Sequence, residues 1–476
     1  MSQINETAIK TPGVYINEIP TFPPSVAQVA TAIPAFIGYT QKAAEKVPDD
    51  LILVPKRITS IVEYETYYGK AKDEGIEIDI AGNVDTNPGS VTVSPVSPPV
   101  LVYKMYYSMQ MYFANGGGPC YIVSAGKDTD TITVGNATSG LQGALAVLEK
   151  EDEPTIIVFP DGTSLPDSDT YYSLINLALD QCNRLGDRFT LADVYVNTEN
   201  TDSQNIGEFR DTVRSEKEHV MYGAAYHPWL ETILPFSYSD TTATINTHSS
   251  PGATDLSGQN LSAVKTKSDA LYNLIKNEIN KLKVVLPPSG SMAGIYARVD
   301  ATRGVWKAPA NVNVINVIKP VINYNDKEQE DMNVHALTGK SINAIRSFTG
   351  KGVLVWGART LDGNSNEWRY ISVRRFFIMV EESAKKATMP FVFEPNDANT
   401  WVKVRAMLEN YLTLLWRQGA LAGAKPEHAF FVKVGLGQTM TADDILNGKM
   451  IIEIGMAAVR PAEFIILRFS HKMQES

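Results

Sequence analysis

LQGALAVLEK (141–150), PTIIVFPDG (154–162), DTYYSLINLALDQCNRLG (169–186) and DRFTLADVYV (187–196) are four consecutive blocks whose reading decides the fold class. In the first and third, apolar residues recur at helical spacing. Tyr172, Ile175, Leu179 and Cys182 share one face, and Gly186 supplies a stop. The second and fourth are short apolar runs bounded by turn residues, the pattern of buried strands. Helix, strand, helix, strand implies a parallel sheet with crossover helices, an α/β fold.

Working toward the N-terminus, VLVYKMYYSMQMYFANGG (100–117) places Val102, Met105, Met109, Tyr112 and Phe113 at helical spacing, stops at Gly116–Gly118, and leads into the strand CYIVSA. AIPAFIGYT (32–40) reads as the first core strand. Before it, GVYINEI (13–19) alternates as a strand does, and prolines 20, 23 and 24 follow, so residues 1–25 read as an extended arm. Two polar stretches, 69–100 and 236–262, read as surface loops. Toward the C-terminus, DALYNLIKNEINKL (269–282) is helical and PPSGSMAGIYARVD (287–300) is a turn followed by a helix.

From Ile342 the texture changes to α+β. GVLVWGART (352–360) reads as a strand, 367–387 as extended and then helical, and PFVFEP (390–395) as a strand. Asn399 or Thr400 caps a helix with Trp401, Val404, Leu408, Leu412 and Leu415 on one stripe and Gly419 at its end. AFFVKV, KMIIEIGMAAV and AEFIILRFS (462–470) read as strands. The division is therefore 1–25, 26–341, 342–461 and 462–476.

The 476 residues suggest about three domains. Lys and Arg total 43 against 53 Asp and Glu, a net charge of −10 that argues against generic nucleic-acid binding. No apolar run reaches the length of a membrane span, and MSQINETAIK lacks a basic then apolar leader, so a cytoplasmic product without membrane insertion is expected. Cys120 and Cys182 form no C-x-x-C pair and read as buried reduced thiols.

No cofactor or metal site is expected. Gly339–Ser341 spells GKS, but a phosphate-binding loop needs a glycine where Val334 stands. NGGGP (115–119) lacks dinucleotide-loop spacing. The six histidines show no H-x-x-x-H pairing. One enzyme reading remains as an alternative: Asp161 at a strand end, His219 or His227, and Ser291 in SGSMAG follow the chain order of subtilisin-type proteases. Against it, neither histidine has the small neighbours expected of the base, and without a base Ser291 is a weak nucleophile.

Segments along the whole chain resemble the contractile phage-tail sheath family. They include TPGVYINEIP, AIPAFIGYT, NGGGPCYIV, LGDRFTLADV, AAYHPWL, residues 286–311, 342–361, 367–383 and 393–401, 414–433, and VRPAEFIILRF (459–469). The polar stretches 69–100 and 236–262 carry no likeness. The resemblance implies a subtilisin-like, non-catalytic α/β middle domain, a C-terminal α+β domain facing an inner tube, and extended terminal strand arms. It implies hexameric rings of neighbouring sheath subunits stacked in a helical sleeve, capped and based by other proteins, that contracts to drive the tube through a target envelope. A single chain without a large protrusion domain looks more like R-type bacteriocins or extracellular contractile injection systems than the largest phage sheaths. Such a particle is a phage tail or a released tail-like machine.

Three residue sets follow. Val14, Tyr15, Ile16, Glu18 and Phe464, Ile465, Ile466, Leu467 are expected in inter-subunit strand arms, because lone strands at chain ends need partners. Arg374, Arg375, Glu381 and Glu382 are candidates for inter-subunit ion pairs. Lys425, Glu427, Asp443, Asp444 and Lys449 are candidates for facing the tube.

Overall fold

The computed structural model describes residues 25–85, 91–95 and 101–468. In chain order the first described strands are β1 (Pro34–Thr40), β2 (Lys56–Ile58), β3 (Ile76–Ala81), β4 (Thr92–Pro95), β5 (Cys120–Lys127), β6 (Ile156–Val158), β7 (Phe189–Asp193) and β8 (Gly223–His227). Then come β9 (Leu230–Thr232), β10 (Ala243–Ser249), β11 (Val285–Leu286), β12 (Val317–Pro320), β13 (Ile342–Phe348), β14 (Gly352–Val355), β15 (Phe430–Lys433) and β16 (Glu453–Met456). The described chain forms two compact units: residues 30–379 with 460–468, and residues 25–29 with 380–459.

The larger unit is built on a mixed sheet of order β14-β13-β8-β7-β6-β1-β5-β2. From β13 to β5 neighbouring strands pair in parallel, and β14 and β2 close the edges antiparallel. Strands β1 and β7 are buried along their whole length, as strands covered on both faces must be. One face packs on the helices Gly140–Leu148 and Ser168–Leu185, and the other on Met105–Ala114 and Ser289–Arg303. The helix Ser168–Leu185 begins where the Asp167 side chain accepts from Thr170 N–H and ends at Gly186, whose φ of 73° suits glycine. The glycines of SGSMAG serve packing: a Cβ on Gly294 would strike the carbonyl of Tyr112 on the neighbouring helix.

The two polar stretches are not simple loops. Strand β3 from the first pairs in parallel with β10 from the second, and β4 adds an antiparallel edge. Ile76, Ile78 and Ile80 of β3 are buried with Ala243 and Ile245 of β10 and with Leu261, Val264, Leu271 and Ile275 of the helices Leu261–Lys267 and Asp269–Ile279. The polar residues that suggested loops sit on the outer faces of this module. The boundary expected at Ile342 also falls inside a sheet, because β13 pairs with β8 and β14 with β13.

In the smaller unit the helix Ala398–Arg417 buries Val404, Leu408, Leu412 and Leu415, the expected stripe, with Trp401 half-buried. Its cap is Asp397, which accepts from Thr400 N–H, rather than Asn399 or Thr400. Gly419 follows with φ 82°. β15 and β16 form a two-stranded antiparallel sheet. PFVFEP makes no strand: Met389–Phe391 is a 3-10 turn, and Phe393 lies fully exposed with φ 71°. The described part of the expected strand 462–470 likewise forms no strand with any other described residue.

Candidate functional site

A polar cluster lies buried at the carboxyl ends of β6 and β7, where an α/β enzyme would keep its chemistry. The Asp161 carboxylate accepts three backbone N–H bonds, from Tyr39 at 2.7 Å, Lys104 at 2.5 Å and Met105 at 3.1 Å. Asp193 accepts the N–H of Ser289 at 2.8 Å and its hydroxyl at 2.5 Å. Each aspartate thus ties the start of a helix to the sheet, with negative charge at the favourable end. Burial pushes the Asp161 carboxyl up to about 6 against the pull of those N–H groups and Lys104. Burial likewise pushes Asp193 up to about 7 and Lys104 down to about 8.

This is not a hydrolytic triad. His227 Nε2 meets Asp202 at 2.7 Å, and Tyr324 donates to the other oxygen of that carboxylate at 2.5 Å. Ser291 is buried in the first turn of its helix, and no described hydrogen bond joins any two of Asp161, His227 and Ser291. His219 sits elsewhere, beside Asp180 at 2.8 Å. Lys340 of the GKS sequence is buried and donates to the carbonyls of Arg210 and Val213, closing the C-terminus of the helix Asp202–Thr212. Cys120 and Cys182 are free and buried.

The charged candidates divide. Arg375 is committed inside the larger unit: its Nη2 lies 2.5 Å and its Nη1 3.1 Å from the two oxygens of Asp300, with side chains 4% and 7% exposed. It also donates to Thr31 O at 2.8 Å and stacks 4.5 Å from the Tyr296 ring centre. Thr31 Oγ1 completes the knot by donating to Asp300 at 2.6 Å. Arg374 is buried against Trp368 and Tyr222. Glu382, in the smaller unit, meets Lys385 and Lys386 on its own helix at 3.2 and 3.4 Å, and Glu381 is exposed. A buried, paired Arg375 is not available to a neighbour. Charge pattern alone did not reveal this, because its partner Asp300 lies on a different helix.

At the C-terminal end Phe464, Ile465, Ile466 and Leu467 are exposed by 70%, 77%, 77% and 72%. Four successive large apolar side chains in water are uncommon in a finished surface. Just before them Glu463 is gripped by Arg359, Asn333 and Tyr370. Val14, Tyr15, Ile16 and Glu18 lie outside the described residues.

The phage tail sheath protein central domain profile matches residues 195–361, and the phage tail sheath C-terminal domain profile matches 364–472. The sheath chain of an extracellular contractile injection system, the PVC sheath complex in its contracted state, is 31% identical over 98% of this chain and 99% of its own, with a TM-score of 0.65. The contracted helical sheath of the anti-feeding prophage is 32% identical over 98% and 100%, with a TM-score of 0.63. This chain belongs to the contractile tail sheath family. Among phage members, the tail sheath protein of Burkholderia phage BcepMu is 30% identical over 144 residues, 29% of this chain. That of Vibrio phage KVP40 is 24% identical over 214 residues, 44% of this chain. Each alignment spans 30% of the length of the phage sheath protein.

In this sheath chain the candidate tube-facing residues sit on the smaller unit. Lys425, Glu427, Asp443 and Lys449 are exposed. Asp444 is occupied locally, accepting the N–H and hydroxyl of Thr441 in a capping box at 3.0 and 2.7 Å. No helix among the described residues is long and apolar enough to cross a membrane.

Proposed function

We propose that the chain is a structural, non-enzymatic subunit that polymerises as stacked hexameric rings in a helical sleeve around an inner tube. The sleeve contracts to drive the tube through a target envelope. The observation that carries this reading is the full-length likeness, above 30% identity, to sheath chains of contractile injection particles. The larger unit is read as a subtilisin-like domain whose strand-end aspartates have become helix anchors. The partners are neighbouring copies, a tube protein, and baseplate and cap proteins, with no nucleic acid and no membrane insertion. The subunit is made in the bacterial cytoplasm and works in a phage tail or a released injection particle. The exposed strip 464–467, and residues 14–18 at the other end, act as arms that complete a sheet in an adjacent copy. Among the described residues the β15–β16 sheet has no third strand, so its edges can receive strands from a neighbour. Asp443, Lys449, Lys425 and Glu427 are read as facing the tube.

The test is electron microscopy of the protein co-expressed with its tube and baseplate proteins. Striated sleeves of two lengths are the expected result. A discrete small oligomer, or labelling of Ser291 by a fluorophosphonate lost in S291A, would overturn the reading.

A further inference from the structure

Among the described residues, the hydrogen bonds of the C-terminal segment converge on one side chain. Among the described residues the backbone of 460–468 makes no hydrogen bond, and it belongs to no strand. Among the described residues, the hydrogen bonds that this segment makes to the larger unit run through the Glu463 side chain. Its Oε1 accepts from Arg359 Nε at 2.9 Å and Asn333 Nδ2 at 2.7 Å. Its Oε2 accepts from Arg359 Nη2 at 2.7 Å and the Tyr370 hydroxyl at 3.1 Å. Burial alone would raise this carboxyl, but these donors outweigh it and hold the group below the ordinary glutamate value.

Arg359 is itself rooted. It is 3% exposed, and its Nη1 donates to Gly363 O at 3.0 Å. Its backbone N–H donates to Asn343 Oδ1 at 2.8 Å. Asn343 Nδ2 donates to Arg359 O at 2.8 Å and to Ala225 O at 3.0 Å. A continuous line of hydrogen bonds therefore runs from the tail through Glu463, Arg359 and Asn343 to β13 and β8, in the parallel part of the sheet. A paired guanidinium and carboxylate fixes direction as well as position, because both groups are planar.

We propose that Glu463 is the anchor of the C-terminal arm: it sets where Phe464–Leu467 leave the body, so that this strip is presented in register to a second copy of the chain and tension in it passes into the central sheet. This rests on the reading that the chain polymerises. The occupant is a second copy because the strip carries four exposed apolar side chains that join no strand among the described residues, and the β15–β16 sheet of the same chain has, among the described residues, no third strand. Residues 464–468, extended, reach about 17 Å beyond the anchor.

The test compares wild type, E463A, which loses the grip and keeps the strip, and I465S/I466S, which keeps the grip and loses the strip. Each is co-expressed with tube and baseplate proteins, and sleeves are counted in micrographs. Isolated E463A, which leaves the buried Arg359 guanidinium without its carboxylate, should melt below wild type, and at a temperature where it stays folded it should yield at least about tenfold fewer intact sleeves, the factor that one lost charge-assisted hydrogen bond represents. I465S/I466S should fail in the same way. Normal sleeves from E463A alongside failure of I465S/I466S would overturn the anchor and leave the polymer reading standing. Normal sleeves from I465S/I466S would overturn the role of the strip, and absence of sleeves from wild type would overturn the polymer reading itself. Should E463A not fold, E463Q, which keeps one acceptor oxygen, is expected to give an intermediate sleeve yield, and a wild-type yield from it would equally overturn the anchor.

Discussion

Replacing Asp300 by alanine should destabilise the larger unit by about 3–5 kcal/mol, because it strands a guanidinium that is almost wholly out of water. The structure sets the size of the effect. Arg375 is 4% exposed on its side chain, and its two terminal nitrogens spend three hydrogen bonds on Asp300 and Thr31. R375A should cost a similar amount, since it leaves the Asp300 carboxylate buried and also removes the cation from the Tyr296 face, itself worth about 0.5–2 kcal/mol. The double variant D300A/R375A leaves no unpaired charge. It should therefore fall short of the sum of the single variants by about 2 kcal/mol or more. The assay is urea unfolding of the three variants, with hydrogen exchange on the helix Ser289–Arg303 to assign the transition to this unit. Exchange near Thr31 should rise in both single variants, because that residue bonds to both members of the pair. Single-variant losses that simply add, within about 0.5 kcal/mol, would refute the argument and mean that water reaches the pair.

The two buried aspartates should respond differently to the same substitution. Asp161 receives only N–H donors, so D161N points an amide N–H at another donor and should cost about 1–3 kcal/mol above about pH 6, where the wild-type carboxyl is ionised. Asp193 receives an N–H and a hydroxyl from Ser289, and the hydroxyl can turn to accept from an amide, so D193N should be tolerated. Because the folded Asp193 carboxyl titrates near 7 and an unfolded one near 4, the folded state holds the extra proton between those values, and stability falls as pH rises through that window. D193N should flatten this part of a pH–denaturation profile, and an unchanged slope would show that another group causes it. Lys104 acts in the opposite sense, adding stability as pH climbs from about 8 toward its unfolded value. In the smaller unit, L412A should cost about 2–5 kcal/mol, as expected at a site 1% exposed, and an unchanged melting curve would contradict that burial.

Local pattern carried the reading wherever neighbouring residues determine structure. Residues 141–196 gave their helices and strands because each block shows its own period and its own stop. Trp401 to Leu415 gave a stripe for the same reason. Pairing between distant segments was harder to see. IEIDIA (76–81) alternates cleanly, yet its place in a packed module depends on β10, and the polar residues around both strands masked that relation. β13 opened what looked like a new domain because nothing local reveals that its backbone bonds go to β8. The strand expected at 390–395 failed for want of a partner, and Pro390 has no N–H to offer a ladder. The tail was legible as an apolar run, although its described part forms no strand. The grip on Glu463 was not, because Arg359, Asn333 and Tyr370 come together only in the folded sheet.

The parallel pairing of β3 with β10 has a consequence for how the chain is made. Ile76, Ile78 and Ile80 leave the ribosome long before Ala243–Ser249 exist, and parallel pairs cannot close through a tight turn. While the sheet strands β5 to β8 are being translated, β3 has only β4 beside it, and its other edge and its isoleucines wait uncovered. At ordinary translation rates of about 5–20 residues per second that wait lasts on the order of ten seconds or more. A ribosome that stalls in this interval holds a sticky hairpin rather than a half-finished domain. Nascent chains arrested before Ser249 should therefore recruit chaperones or aggregate, whereas chains released after Leu286 carry β10, both helices and the last buried residues of this cluster.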